Sequence, residues 1–344
     1  MSALSICLRH SSQNEAGLSR RRRGRGFSYH DAKGRRIECS KTLARIKGLG
    51  LPPAYKDVWI CQDAHGHLQA VGTDARGRRQ YRYHADWRRM RDNRKFDRLE
   101  DFGRALVRLR EQVEHDMRRK QPDRIQVSAA LVRLIDRGAL RVGSERYAEE
   151  NRTFGATTLR SRHLKLDGPN LRLSFQAKGG KRVRQQIKDA TLARILGRID
   201  DLPGRALFSC LDVQGNCYPV LSDDVNAYIA DASGEPRFTA KTFRTWHGTV
   251  SALETAIDDP TGLTIGRMSE AAAERLHNTE AIARKSYIHP HIIELAKVSD
   301  ADRTARLAAI DLRHAPQGLP KAEKQLISLL SQSPTMELVA PIDR

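Results

Sequence analysis

Residues 158–187 read TLRSRHLKLDGPNLRLSFQAKGGKRVRQQI. Three stretches in which apolar and polar residues alternate are separated by Asp167-Gly168 and by Gly179-Gly180. Alternation with a period of two marks half-buried strands, and Gly at such joints supplies the positive φ that tight turns need. The segment therefore predicts a three-stranded antiparallel sheet. On both sides the period changes. DRLEDFGRALVRLREQVEHDM places Leu99, Phe102, Leu106, Leu109, Val113 and Met117 on one helical stripe, with Pro122 beyond it as a stop. RIQVSAALVRLIDRGALRVG carries a second helix through Leu131, Leu134 and Ile135. From Asp189 onward the pattern is helical. Ser222 and Thr239 read as N-caps of DDVNAYIADA and AKTFRTWHGTVSALETAI, and Ser269 and Thr279 as N-caps of EAAAERLH and EAIARKSYIH. Pro320 opens a last helix, KAEKQLISLL.

Further toward the N-terminus the chain is different. Between Phe27 and about Asp92, VWIC, HGHLQAVG and RRQYRYH alternate, punctuated by Gly66, Gly72 and Gly77. This predicts a small β-rich domain of short strands and turns. Residues 1–24, rich in Ser and Arg, read as a basic flexible arm. The expected fold class is α+β. After the arm come an antiparallel β-rich domain over 25–92 and a larger, mostly helical domain over 93–344 with the small sheet embedded in it. Residues 300–344 read as a helical extension of the latter.

The chain carries 61 Lys+Arg against 41 Asp+Glu, a formal net charge of +20. Such an excess of cations calls for a polyanion, because neutralised phosphates release condensed counterions. No window approaches the roughly 18 apolar residues of a membrane span. The short apolar start precedes the arginines, the reverse of a secretory signal. The five cysteines (Cys7, Cys39, Cys61, Cys210, Cys217) form no C-x-x-C pair. They read as reduced thiols of a cytosolic protein rather than as disulfides or a zinc site. Asp223-Asp224 and Asp258-Asp259 read as helix-end or turn charges rather than as a two-metal cluster.

Four stretches of the larger domain concentrate functional side chains: RVGSERYAEENRTFGATTLR, FQAKGGK, TAKTFRTWHGT and HNTEAIARKSYIHP. Taken singly, Arg141, Lys178 and Arg244 read as surface cations, Asn278 as a turn residue and Tyr287 as helical packing. In this order and context the stretches resemble the type IB DNA topoisomerases of bacteria and poxviruses, over a span from about Phe27 to about Ile292. In that family two Arg, one Lys, one His or Asn and a Tyr nucleophile form the catalytic set. Arg141 matches the Arg of R-x-G before Y-x-x-E-N (Tyr147 to Asn151). Lys178 matches the Lys of the hairpin. Arg244 matches the Arg of K-x-x-R-T-[WY], which begins at Lys241. Asn278 matches the His/Asn, and Tyr287 follows it by nine positions. GRRQYRYH resembles the family's DNA-contacting strand through Gln80, Tyr81 and Tyr83.

The resemblance implies a transient single-strand break in duplex DNA through a 3′-phosphotyrosyl bond to Tyr287. Arg141, Arg244 and Asn278 would stabilise charge at phosphorus, and Lys178 would protonate the leaving 5′-oxygen. Arg78, Arg79, Gln80, Tyr81, Tyr83, Lys181 and Lys241 are the expected DNA contacts. Double-stranded DNA is the partner, held by a monomer closing as a clamp. No cofactor, metal or ATP is expected, and no P-loop is present. The expected setting is cytoplasmic, at the nucleoid. Ala177, His277 and Glu280 depart from the Gly, Gly and Pro common in relatives. Two other readings compete: a tyrosine recombinase, which carries His where Lys241 stands, and a non-catalytic basic nucleic-acid-binding protein.

Overall fold

A computed structural model describes residues 8–204, 206–259 and 261–332. Cys7 and residues 333–344 of the expected extension lie outside the described residues. The chain divides into two compact units, the second beginning at Lys95.

The first unit is built on strands β1 (Gly17–Arg23) and β2 (Gly26–His30), helix α1 (Ser40–Gly48), and strands β3 (Lys56–Cys61), β4 (Leu68–Thr73) and β5 (Arg79–Tyr83). The strands form a five-stranded antiparallel sheet in the order β2-β1-β3-β4-β5. Two expectations are corrected here. Residues 17–23 belong to a strand, not to a flexible arm. One buried apolar residue, Leu18, and pairing on both edges hold it, while Arg20 donates to the carbonyls of Leu51, Pro52 and Tyr55. Ladder pairing satisfies the backbone whatever the side chains carry, so arginines on the solvent side are tolerated. The segment read as strands and turns also contains α1. Its buried face is a single residue, Ile46, too little for a legible 3.6-residue period. Ile46 packs with Leu18, Val58, Ile60 and Ala70 in this unit's core.

Helix α2 (Ala85–Asp97) leads into the second unit. There follow helices α3 (Leu99–Met117), α4 (Arg124–Gly138) and α5 (Glu145–Asn151), then strands β6 (Leu164–Asp167), β7 (Asn170–Gln176) and β8 (Arg182–Lys188). Helix α6 (Ala190–Asp200) precedes the short strands β9 (Ser209–Leu211) and β10 (Cys217–Pro219). Then come α7 (Ser222–Ser233), α8 (Ala240–Asp258), α9 (Ile265–Arg275), α10 (Glu280–Tyr287), α11 (Pro290–Glu294), α12 (Asp300–Ala308) and α13 (Lys321–Ser331). The expected sheet forms in the order β6-β7-β8, with Gln176 paired to Arg182 at the hairpin end. All six residues of the α3 stripe are buried, and Phe102 meets Phe238, Phe243 and Trp246 edge-to-face.

Helices return from Asp189 onward as expected, interrupted by the β9–β10 hairpin, whose three-residue strands are too short to alternate visibly. Two caps also move. The start of α7 is held by Asp224, which accepts from Leu221 N, so Ser222 is already helical. The cap of α9 is Thr264, accepting from Arg267 N, while Ser269 lies buried inside the helix and donates to Ile265 O. Thr279 caps α10 as expected.

Charges are buried where α3, α4, α8 and α13 meet. Arg110 binds Asp136 at 2.8 Å and Glu323 at 2.6 Å. His247 lies 2.9 Å from Asp136, and Trp246 donates to Glu323 at 3.1 Å. Burial alone would raise the Asp136 pKa, but His247 and Arg110 outweigh it and hold the carboxyl far below its usual value. This network fastens the middle of α8, and α8 carries Arg244.

Candidate active site

Arg244 is buried and acts on backbone carbonyls. Its Nη1 donates to Ala139 O, just beyond α4, and its Nη2 to Leu276 O at 3.0 Å, just beyond α9. A guanidinium there suits the negative ends of two helix dipoles. Its Cζ also lies 5.0 Å from the centre of the Tyr287 ring. Burial, then repulsion from Arg141, pushes its pKa down to about 10, which leaves it charged at neutral pH.

Tyr287 closes α10. Gly248 on α8 lets the α10 end approach, since a Cβ there would come within 2.8 Å of Tyr287 O. The Thr249 hydroxyl lies 3.1 Å from Tyr287 O and accepts from His289 N. Burial pushes the Tyr287 phenol up, but the charges of Arg244, Arg141 and Lys241 more than offset this, so the hydroxyl loses its proton more readily than an ordinary tyrosine. Gly248 and Thr249 were not singled out from the sequence. Their signal is their place in TWHGT, one and two residues beyond His247.

Arg141 follows the left-handed turn at Ala139, and its backbone carbonyl accepts from Ala156 N at 2.8 Å. Gly143 (φ 110°) abuts Gly155, where a Cβ would come within 2.6 Å of the Gly143 Cα. That approach requires Gly at 155, while the Gly of R-x-G is required by its own positive φ and by the Thr157 Oγ1, which a Cβ on Gly143 would approach within 2.8 Å. Burial lowers the Arg141 pKa, and Tyr287 opposes the shift.

Lys178 sits exposed at the β7–β8 turn. Ala177 N donates to Lys181 O at 2.7 Å, and Gly179 and Gly180 take φ of 78° and 77°. Ala177 is extended (φ −98°), so Ala in place of Gly costs the turn nothing.

Asn278 is placed by the end of α9. His277 N donates to Glu274 O and Asn278 N to Ala273 O, the two bonds of a Schellman motif, with His277 in its left-handed position at φ 48°. A Gly at this position would take the left-handed backbone without strain. Glu280 opens α10, where a carboxylate complements the dipole as Pro would complement the geometry. The Asn278 Oδ1 accepts from Thr279 N. Among the described residues, Arg244 Nε, Asn278 Nδ2 and His277 Nε2 are buried without a hydrogen-bond partner. Arg141, Arg244 and His277 line one small cavity with Ala177.

The expected DNA contacts fall into two groups. In the second unit, Lys181 and Lys241 are exposed, and Lys241 is also close enough to act on the Tyr287 charge. In the first unit, Arg79, Tyr81 and Tyr83 share one face of the edge strand β5 by alternation, and the two Tyr rings stack at 6.3 Å. Gln80 points to the other face and donates to Asp74, which also binds Arg78 at 2.8 Å.

Among the described residues no cluster of three His, Cys, Asp or Glu is arranged to hold a metal ion, and no helix is long and apolar enough to cross a membrane. Cys39, Cys61, Cys210 and Cys217 are free thiols.

Tyr287 lies within electrostatic reach of Arg244, Arg141 and Lys241, and a concentration of positive charge of this kind suits an anion. Residues 84–329, most of the chain, match the family described as eukaryotic DNA topoisomerase I, catalytic core. Residues 26–74 match the N-terminal domain of bacterial DNA topoisomerase IB. The chain belongs to the DNA topoisomerase I family, in its type IB class. It is 28% identical to the DNA topoisomerase 1B of Acanthamoeba polyphaga mimivirus over 293 residues, 81% of this chain and 87% of that protein. Among solved structures it is similar to the XerH site-specific recombinase in its post-cleavage complex with palindromic difH substrate, at 16% identity and a TM-score of 0.37, over 56% of this chain and 50% of that one.

Proposed function

We propose that this enzyme relaxes supercoiled duplex DNA by cutting one strand through Tyr287, letting it rotate and resealing it. The observation that carries this reading is Tyr287 itself, held against Arg244 and acidified by Arg244, Arg141 and Lys241.

The Tyr287 oxygen attacks the phosphorus and gives up its proton to solvent. The P–O5′ bond breaks, and the 5′-oxygen takes a proton from Lys178. Extra negative charge collects on the non-bridging oxygens. Arg141, Asn278 Nδ2 and Arg244 Nε meet it, the last through the donor that the carbonyls of Ala139 and Leu276 leave over. Preorganised cations and amides of this kind supply the stabilisation that many nucleases take from a metal. The tyrosyl ester keeps the energy of the phosphodiester, so the 5′-hydroxyl attacks back, Lys178 recovers its proton, and no ATP is consumed. Rotation about the intact strand has no preferred hand, so supercoils of both signs relax. We further propose that the enzyme works as a monomer, that both units engage the duplex, and that β5 and the basic hairpin strands supply contacts from the first unit.

The test is relaxation of positively and negatively supercoiled plasmid in EDTA without ATP, followed by denaturant trapping of a protein–DNA adduct. Relaxation and an adduct are expected from the native enzyme and neither from Tyr287→Phe. Activity that disappears in EDTA and returns only with Mg²⁺ would overturn the reading.

A further inference from the structure

We infer that the cleft between α5 and the β6–β7–β8 sheet is a second anion site, which takes a phosphate group among Arg152, Arg162, Arg182 and the buried ring of His163. The tyrosine chemistry proposed above is not needed for it.

The cleft is a cavity of about 490 Å³ lined by Arg152, Arg162 and Arg182, together with Ser174 and the buried rings of Phe154 and His163. A neighbouring cavity of about 330 Å³ shares Arg152, Phe154 and Arg162 and adds Arg160. The Cζ atoms of Arg160 and Arg162 lie 5.4 and 5.9 Å from the centre of the Phe154 ring, a contact that steadies both guanidinium groups without using an N–H. None of these four arginines has a carboxylate partner among the described residues, and Arg182 donates to the Ser174 hydroxyl at 3.4 Å. The one carboxylate that lines either cavity is Glu149, in the smaller of the two. Arg152 also holds a left-handed backbone (φ 52°), which suits Gly better than a residue with a side chain. Four cations gathered with so little acid repel one another until an anion joins them.

His163 says what kind of group is missing. It is only 8% exposed. Its Nδ1 accepts from Arg160 N at 3.1 Å, so in the neutral ring the hydrogen sits on Nε2. The Nε–H of Arg162 is directed at that same Nε2, 3.3 Å away. A donor therefore faces a donor. The other tautomer only moves the conflict to Arg160 N. The ring takes up no second proton at neutral pH, since burial, Arg162 and Arg160 push its pKa down to about 4. An acceptor beside Nε2 and Arg162 resolves the conflict, and the surrounding guanidinium charge favours an anion over water. Arginine forks match phosphate oxygens two at a time, and a phosphate has oxygens enough for several forks and the imidazole N–H. Phe154 and Phe175 line both this cleft and the small cavity beside Arg141 and Arg244, whereas none of Arg141, Lys178, Arg244, Asn278 and Tyr287 lines the cleft. The phosphate taken here is therefore not the one that Tyr287 attacks. A DNA backbone and a free oligophosphate offer the same chemistry to these groups.

The test compares the full-length native enzyme with a variant carrying Arg152→Gln, Arg162→Gln and Arg182→Gln, all at exposed positions. A control of equal charge carries Arg108→Gln, Arg306→Gln and Lys321→Gln, three exposed cations that line neither cavity. Calorimetry measures the binding of inorganic tripolyphosphate, and the salt dependence of affinity is measured for a short DNA duplex. Melting temperatures are recorded alongside. The cleft variant is expected to lose on the order of 10-fold in tripolyphosphate affinity, or to lower the duplex salt slope by about 0.9 for each phosphate no longer neutralised. The control should keep native values in both. A loss with tripolyphosphate alone assigns the cleft to a free oligophosphate, a lower slope alone assigns it to the DNA backbone, and both together make it a site that either can reach. Native behaviour of the cleft variant in both measurements overturns the inference. So does an equal loss in the control, which would leave only unspecific charge. Should the triple variant melt lower than the native enzyme, Arg152→Gln and Arg182→Gln are measured singly, and each must show part of the loss for the site to stand.

Discussion

At the scale of single residues, the proposed reaction assigns leaving-group chemistry and charge stabilisation to different side chains, and the two can be separated. Lys178 sits on an exposed turn, whereas Arg244 is buried against Tyr287. An ammonium can release its proton to the 5′-oxygen, and a guanidinium does so with great difficulty. Lys178→Ala should slow cleavage of ordinary DNA by roughly 10²–10⁴-fold. With sulfur in place of the bridging 5′-oxygen it should be close to wild type, because a thiol of pKa about 8.5 leaves unprotonated. Arg244→Ala should be slow on both substrates. An equal defect of Lys178→Ala on both would move the general acid elsewhere, first to Arg141. A second expectation concerns pH. The attacking form of Tyr287 has lost its proton, so cleavage should rise with pH through a pKa below the ordinary tyrosine value. Lys241 is exposed and helps to lower that pKa, so Lys241→Ala should move the rising limb to higher pH with little loss of stability. Overlapping pH–rate profiles would remove Lys241 from the site's electrostatics.

At the scale of elements, what was legible depended on how far a signal reached along the chain. The β6–β7–β8 sheet and α3 were readable because two turns and a six-residue stripe repeat a period over many positions. The five catalytic candidates were singled out only by the order and context of four motifs, since each residue alone reads as surface charge, turn or packing, and the sequence could not show that Arg244 bridges the ends of α4 and α9. Strand β1 was not readable, because its stability lies in pairing with β2 and β3 and in the bonds from Arg20 to a distant loop, none of which is local. Its place in the sheet changes what the neighbouring arginines do. Arg21, Arg22, Arg23 and Arg25 are exposed on and between the hairpin strands, so they present fixed charge rather than a floating arm. Replacing all four by Gln should weaken duplex binding and reduce the salt slope by about 0.9 for each phosphate that is no longer neutralised. An unchanged slope would show that the hairpin faces away from DNA. The C-terminal helix α13 carries a different burden. Glu323→Ala leaves Arg110 and the Trp246 N–H without this partner in a buried network, and such a change costs roughly 3–5 kcal/mol. Denaturant unfolding should show that cost, although Glu323 touches no part of the proposed chemistry.

At the scale of the whole molecule, the two units have separate apolar cores, and acidification should strike the second one through His289. His289 caps α11, and its Nδ1 accepts from His291 N, so that nitrogen must be unprotonated in the folded state. The ring is buried against Phe96 at 5.3 Å, and burial, with the neighbouring His291, pushes its pKa down to about 4. In the unfolded chain the value returns to about 6.5. Between these two values the unfolded state binds the extra proton, so stability is complete above about pH 6.5 and falls as pH drops toward 4. The shift sets an upper bound of about 3 kcal/mol on the loss from this residue. His163, as buried as His289 and pushed to about 4 by burial and by Arg162 and Arg160, adds a loss with the same sign. The consequence reaches the active site. His289 N binds the Thr249 hydroxyl that also lies against Tyr287 O, so charging the ring should loosen the support of Tyr287. Denaturant titrations at pH 7.5 and pH 5 should show the native enzyme less stable at the lower value. His289→Asn, which keeps a capping oxygen that cannot be protonated in this range, should flatten that difference. If the variant loses as much stability on acidification as the native enzyme, the acid sensitivity lies elsewhere, and His163 is the first place to look.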